Sequence, residues 1–557
     1  MLYPQSNRYR LVTNLNGIWH FAAVEDSYCA AAALQGGGLT AVPASMNELV
    51  VEPSISNHVG LVVYEREFSV PQLPECEYRL RLGAVSHRSE VYLNGQRIGE
   101  GINGYDPVDL PLEGLLDTNR LTVVIDNRLT NETFPAGRLK DGKQIINHDF
   151  YNFTGIHRDV LVYTRPKCCI EDVVIQTVVD GNYHRVLAKV TTSCRELRLT
   201  VLDREGREVS SSKGEELWIE EPMLWSPAAP NLYTLVVETE CDRYVERFGI
   251  RRVEVKGDQF LLNGEPVYFK GFGMHEDFFL LGKGNSSAVN IRNFELLKWI
   301  NANSIRTSHY PYSEEILSLA DEYGILVIDE VPAVGMNWWE DNYGESGINA
   351  NTLALHRELI RRLHERDKNH PSVVMVSVAN EAATNEAPAE AYFKNVMDYA
   401  REVWSLPVTL VEFYQAEETL ASQFADVICI NRYYGWYYDH GDLTVIEEQM
   451  KAELRKWHDR YRKPIFVTEF GCDTVEGLHA LPAESFSEEF QWAYFEACGK
   501  AFDDCSFCVG EHPWAFADFK TKQGLTRIRG NRKGVFTKDR QPKSGARYLR
   551  ERWKNIK

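Results

Sequence analysis

Val373-Val-Met-Val-Ser-Val-Ala-Asn-Glu381 and Pro464-Ile-Phe-Val-Thr-Glu-Phe-Gly471 decide how the rest of the chain is read. Each is a run of apolar and β-branched residues as long as a buried parallel strand, and each closes on a glutamate. A (β/α)8 barrel places its catalytic groups at such strand ends, because the carboxyl ends face the substrate cleft. Two glutamates in this setting point to paired-carboxylate chemistry, of which glycoside hydrolysis is the commonest kind. One glutamate alone reads equally well as a solvated strand terminus; two together make that reading a minor one.

The surroundings fit the same architecture. From about residue 256 strand and helix patterns alternate, with candidate strands at Val267 to Phe272, Ser304 to Ser308, Ile325 to Ile328, Val373 to Val378, Val408 to Val411, Val427 to Ile430, Ile465 to Val467 and Cys508 to Gly510. Leu355, Leu359, Ile360 and Leu363 share one helical face, and a helix is expected from about Thr352. Ser485-x-x-Glu488 ahead of Phe490 and Trp492 reads as a capping box opening another helix. Eight strands alternating with helices over about 300 residues make a C-terminal TIM barrel, 256–557, with the two glutamates after its fourth and seventh strands.

Upstream the periodicity is two. Gly17 to Phe21, Tyr64 to Val70, Tyr78 to Leu82, Ser89 to Gly95 and Arg120 to Ile125 alternate apolar and polar residues, and Asn94-Gly95 is a hairpin turn signal. Residues 1–165 are expected to form a jelly-roll β-sandwich. Val173 to Val179, Val186 to Thr192, Leu197 to Leu202 and Leu232 to Glu238 continue in the same style. Residues 166–255 are thus the size of an immunoglobulin-like β-sandwich, without the Cys–Trp–Cys pattern of antibody domains.

A chain of 557 residues is too long for one core and should hold about three or four domains. Its 25% charged and 44% hydrophobic residues fit an ordinary globular protein. The net charge of −19 argues against nucleic acid or an anionic membrane surface as a partner, and requires a local basic patch for any anionic substrate. Met1 to Leu11 has no apolar stretch of signal-peptide length, and no run is long enough to span a membrane. Eleven cysteines, an odd and scattered set, favour free thiols and a cytoplasmic location. Cys505-Ser-Phe-Cys508 lacks a second ligand pair and reads as core thiols. With neither HExxH nor a P-loop present, no cofactor and no metal are expected.

Several stretches resemble glycoside hydrolase family 2: Asn303-Ser-Ile-Arg-Thr-Ser-His-Tyr-Pro311, Leu224-Trp-Ser-Pro-Ala-Ala-Pro-Asn-Leu-Tyr233 and Phe248-Gly-Ile-Arg251. The domain order is also that family's. Within it, the bacterial-type β-glucuronidases are the most similar group. They share Asp149-Phe-Tyr-Asn-Phe-Thr-Gly-Ile-His-Arg158, Gly271-Phe-Gly-Met-His-Glu-Asp277, Asn431-Arg-Tyr-Tyr-Gly-Trp-Tyr437 and Asn531-Arg-Lys-Gly534. The resemblance implies Glu381 as general acid/base and Glu469 as nucleophile of a retaining mechanism, with carboxyl groups roughly 5–5.5 Å apart. It implies that Asn531 and Lys533 bind the sugar carboxylate, that Asn380 bonds the 2-hydroxyl and that Tyr433 orients the nucleophile. Asp149, His309, Tyr437, Trp514 and Arg527 are the further pocket residues, and relatives commonly form homotetramers.

The chemistry agrees, since a uronic acid leaving water needs charge-assisted donors worth about 1.5–3 kcal/mol each. Two departures stand out. Trp514-Ala-Phe-Ala-Asp518 has Ala515 where the family usually has Asn. Gly335 to Asn351, with Trp338 and Trp339, is shorter than the loop that covers the active site of close relatives, and an open aglycone site is expected. A β-galacturonidase or a β-galactosidase-like exo-glycosidase is the alternative, the neutral-sugar version disfavoured by Lys533. A non-catalytic binder would be expected to have lost Glu381 or Glu469.

Overall fold

The computed structural model describes residues 1–180, 183–336 and 347–556. The segment expected to leave the aglycone site open falls for the most part on 337–346, Trp338 and Trp339 included, and lies outside the described residues. A four-stranded sheet (Val12–Asn14, Val160–Pro166, Cys76–Leu82, Val108–Leu112) faces a six-stranded one that runs from Gly38–Val42 to Gln96–Gly101. Their inward residues, among them Trp19, Tyr64, Leu80, Val91, Val123 and Val162, form one core. Asn94 and Gly95 take φ of 50° and 82°, the left-handed pair that a two-residue turn between twisted strands requires.

The second sandwich pairs Ile170–Asp180, Tyr183–Thr192 and Glu216–Glu220 in one sheet, and Glu208–Ser212, Arg198–Leu202, Tyr233–Glu238 and Arg243–Phe248 in the other. Its family-like stretches are docking surfaces against the barrel. The Trp225 indole donates to Asp321 O at 2.9 Å, and the Arg251 guanidinium donates to Pro371 O and Val373 O at 2.5 and 2.6 Å.

The C-terminal unit is a closed parallel barrel. Its strands are β1 (Phe269–Gly273), β2 (Ser304–Arg306), β3 (Leu326–Glu330), β4 (Val373–Asn380), β5 (Val408–Glu412), β6 (Ile428–Asn431), β7 (Ile465–Phe470) and β8 (Cys508–Pro513). The helices are α1 (Ser287–Trp299), α2 (Glu314–Tyr323), α3 (Ala350–Asp367), α4 (Ala389–Val403), α5 (Ile446–Tyr461), α6 (Glu488–Asp503) and α7 (Ser544–Asn555). All eight expected strands are present, although β5 reaches β6 through a 3₁₀ turn, Ser422–Phe424, rather than a helix. The hairpin Val253–Lys256/Gln259–Leu262 closes the amino end of the barrel, where Phe260 and Leu262 pack on Phe269, Phe466 and Val509.

Two local expectations shift. Helix α3 starts at Ala350, capped by Asn349 in a box with Thr352. Helix α6 is capped by Ser487, whose Oγ accepts from Phe490 N at 3.2 Å, so Ser485 is not the cap. Phe486, at φ 73°, turns the chain between the two serines. Glu488 instead accepts from Gly477 N and Ser544 N at 2.8 and 2.7 Å, tying α6 to α7.

Candidate active site

Strand β4 is buried at all eight positions, and the chain leaves it with Glu381 at φ 49°. That conformation costs a side-chain-bearing residue about 1–2 kcal/mol. The carboxylate it delivers lies in a cleft of about 480 Å3 at the carboxyl ends of the strands. Glu469 reaches the same cleft from β7, and its strand neighbour Asn431 ends β6. Register shifts interrupt the pairing beside all three residues, and irregularities of this kind re-aim side chains at barrel rims.

Arg306, the fully buried last residue of β2, organises the carboxylates. Its guanidinium donates to Glu330 Oε2 at 2.8 Å, to Glu469 Oε1, and weakly to Asn380 Oδ1 at 3.4 Å. The Tyr433 hydroxyl donates to Glu469 Oε2 at 2.7 Å, so both Glu469 carboxylate oxygens have a donor. Burial works to raise Glu330, but the Arg306 charge and the hydrogen bonds from His309 and Ser377 outweigh it and hold the group at about 2. His309 Nδ1 lies 2.7 Å from Glu330 Oε1, and the imidazole stacks on Trp514 with 5.2 Å between centroids.

Glu381 is the opposite case. Burial, and after it the charge of Glu469, push it up to about 8, against the pull of the Asn431 amide, which donates to Oε1 at 2.7 Å. Glu381 thus favours its neutral form in the same cleft that holds Glu469.

A second polar cluster completes the cleft. Arg527 Nε donates to Asp149 Oδ1 and Oδ2 at 2.9 and 2.8 Å, and Asn531 Nδ2 to Asp149 Oδ2 at 2.9 Å. Asp149 belongs to the chain ahead of both sandwiches' junction, so the first domain supplies part of the wall, together with His148. Lys533 donates to Asp473 Oδ2 at 2.5 Å and to the Tyr437 hydroxyl at 2.8 Å, and Arg527 Nη2 donates to that same hydroxyl at 2.8 Å. Burial opposes the charge on Lys533, but Tyr437 and Asp473 raise its pKa, and it stays an ammonium.

Asp149, His309, Asn380, Glu381, Tyr433, Tyr437, Glu469, Trp514, Arg527 and Asn531 all line the cleft. Lys533 does not: it is fully buried behind Tyr437. Ala515 is buried too, and its backbone pairs with Lys533 O and Val535 N at 3.2 and 2.9 Å. Sequence reasoning passed over Arg306, Glu330, Asn431 and Asp473. The available signal was an arginine inside the apolar strand Ser304-Ile-Arg306, since a charge there must be paired. A larger crevice of about 780 Å3 lies where the two sandwiches meet the barrel, lined by Arg81, Glu314 and Arg366 and by none of these residues.

Family models described as glycosyl hydrolases family 2, sugar binding domain, as glycosyl hydrolases family 2, and as glycosyl hydrolases family 2, TIM barrel domain, match residues 12–166, 168–251 and 253–557. The beta-glucuronidase of Paenibacillus borealis is 42% identical over 99% of this chain and 98% of its own length. That of Streptococcus agalactiae is 38% identical over 100% and 98%. Among solved structures, a beta-glucuronidase from an uncultured Clostridium species superposes with a TM-score of 0.97 at 42% identity, covering 100% of both chains. The Ruminococcus gnavus b-glucuronidase in complex with uronic isofagomine gives 0.95 at 36% identity, covering 99% of each.

Proposed function

The chain belongs to glycoside hydrolase family 2, and from that membership we propose that it is a retaining exo-β-D-glucuronidase, releasing glucuronic acid and an alcohol. The observation that carries the reading is one cleft holding a carboxyl group pushed up to about 8 and a carboxylate gripped by Arg306 and Tyr433. Glu469 attacks the anomeric carbon while neutral Glu381 delivers its proton to the leaving oxygen. Forming the glycosyl-enzyme removes the Glu469 charge, and with it part of what raises Glu381. The acid then becomes the base that activates water. Asn380, whose Oδ1 accepts from Arg306 and Asn431, has its amide N–H free to meet the sugar 2-hydroxyl.

The uronate is recognised through Tyr437. Its oxygen accepts from two cations, so its own hydrogen is left to donate toward the cleft. Arg527 and Lys533 are balanced by Asp149 and Asp473, and an incoming carboxylate is held by polarised donors rather than by surplus positive charge. Lys533 therefore acts through Tyr437, with Asn531 and Arg527 on the cleft-lining side of the same cluster and His309 and Trp514 shaping the sugar pocket.

Three folding units, 1–165, 166–255 and 256–557, a cytoplasmic setting supported by the odd set of cysteines, and a homotetramer complete the reading. Among the described residues no helix is long and apolar enough to cross a membrane. Light scattering on the purified protein tests the tetramer, which a monomeric mass rules out. Rates on p-nitrophenyl β-glucuronide, β-galacturonide and β-galactoside test the activity. A rate on either of the last two matching that on the glucuronide removes the proposed specificity.

A further inference from the structure

Loops at one end of the second sandwich bring together side chains that the cleft chemistry does not use. Cys168 precedes the strand Ile170–Asp180, Cys194 follows Tyr183–Thr192, and Glu240-Cys241 lie in the turn between Tyr233–Glu238 and Arg243–Phe248. Three Sγ atoms and a carboxylate oxygen, one from each residue, all lie within 4.8 Å of one another. Cys194 Sγ is 3.1 Å from Cys241 Sγ, whose thiol also donates to Cys168 O at 3.1 Å.

We propose that this cluster is a structural site for a thiophilic d10 cation such as Zn2+, with Cys168, Cys194 and Cys241 as thiolate ligands and Glu240 as the fourth. A tetrahedral site with metal–sulfur bonds of about 2.3 Å separates its sulfurs by about 3.8 Å, so shifts of about 1 Å close these atoms onto an ion. Four protein ligands leave no open position, which makes the role structural rather than catalytic.

The supporting shell is in place. Both Glu240 oxygens accept backbone N–H bonds, from Arg195 and Glu196, at 3.0 Å each, which fixes the carboxylate beside Cys194. Thr192 Oγ1 accepts from Cys194 N at 3.1 Å, and Thr239 Oγ1 from Cys241 N at 3.4 Å. The ion would join Cys168 and Cys194, at the strand ends of one sheet, to Cys241, in a turn of the other. Next in sequence, Asp242 already clamps Arg10 at 2.5 Å and Ile170 N at 2.8 Å. A Cys194–Cys241 disulfide would use two of the four groups and needs an oxidant; coordination uses all four and only releases the thiol protons to solvent.

Metal-stripped, full-length protein kept reduced with a phosphine is titrated with Co2+, then Zn2+, and followed by absorption, pH change and native mass. One equivalent of Co2+ with a thiolate charge-transfer band, displaced by Zn2+ with proton release, is the expected result. Cys241→Ser should weaken binding at least about tenfold, and Glu240→Gln should weaken it while keeping the band. The triple variant Cys168→Ser/Cys194→Ser/Cys241→Ser should lose the band yet hydrolyse glucuronides at the parent rate. Absence of the band at one equivalent, or its survival in the triple variant, overturns the proposal. So does finding, in the protein isolated without chelator or reductant, a Cys194–Cys241 disulfide and no bound metal.

Discussion

Glu381 stores a cost that its proposed role as proton donor requires. Its carboxyl is buried and titrates at about 8 in the folded chain, against 4.5 for an ordinary glutamate. Below 4.5 it is neutral folded or unfolded, and nothing is lost. As pH rises from there to about 8 the unfolded chain ionises first, so stability falls, and above 8 the loss is complete. At pH 7 this amounts to about 3 kcal/mol. Glu381→Gln should therefore raise the barrel's melting temperature by a few degrees at pH 8 and leave it unchanged near pH 4, as scanning calorimetry at both values would register. Glu469→Gln should abolish turnover. Glu381→Ala should spare activated aryl glucuronides far more than substrates with poor leaving groups, and azide should partly rescue it; an α-linked azide product would reverse the two roles. Tyr437→Phe removes one polarised donor worth about 1.5–3 kcal/mol, so kcat/KM for an aryl glucuronide should fall about 10- to 150-fold and a β-glucoside should hardly notice. Lys533→Ala should cost at least about a hundredfold and also lower the melting temperature, because it strands buried Asp473. Glu381 and Glu469 were legible because a carboxylate ending an apolar strand is conspicuous. Asn431 and Asp473 were not, since a polar residue at or just past a strand end looks the same whether it grips a buried side chain or a water.

At the scale of elements, the strand ends act as a mounting plate. Arg306, Glu330, Asn431 and Glu469 end, or nearly end, four of the eight strands, and one hydrogen-bonded network spans them. Trp514, after β8, forms another edge of the plate and packs on β1. A Cβ at Gly273 would meet its ring at 2.6 Å. Gly273→Ala should thus displace Trp514 and the stacked His309, lowering kcat with a loss of about 1–3 kcal/mol from overpacking. An unaltered kcat would show that Trp514 has room to yield. Strand and helix periods made the barrel readable. The mistaken cap at Ser485 and the absent helix after β5 were not readable, because both depend on what neighbouring segments pack against rather than on local pattern.

Across the whole molecule, the sandwiches are part of the working enzyme. Arg158 donates to Tyr105 O and Pro311 O at 2.7 and 2.6 Å and pairs with Glu276 at 3.2 Å, riveting the first sandwich to the barrel. Arg158→Ala should cost about 3–5 kcal/mol by leaving Glu276 uncompensated, and limited proteolysis should then release the first sandwich. The domain classes were legible from alternating residues and turn signals. The thiol cluster was not, since its members come from separate loops without any short spacing. The bond from Asp149 to Arg527 spans 378 residues and carries a further implication for synthesis. Chains grow at about 5–20 residues per second, and domains fold as they emerge. The two sandwiches can form early, yet the wall of the cleft waits for Arg527 to leave the ribosome. A nascent chain stays silent toward its substrate until Arg527 has emerged, and a product cut short before that residue lacks one wall of the cleft.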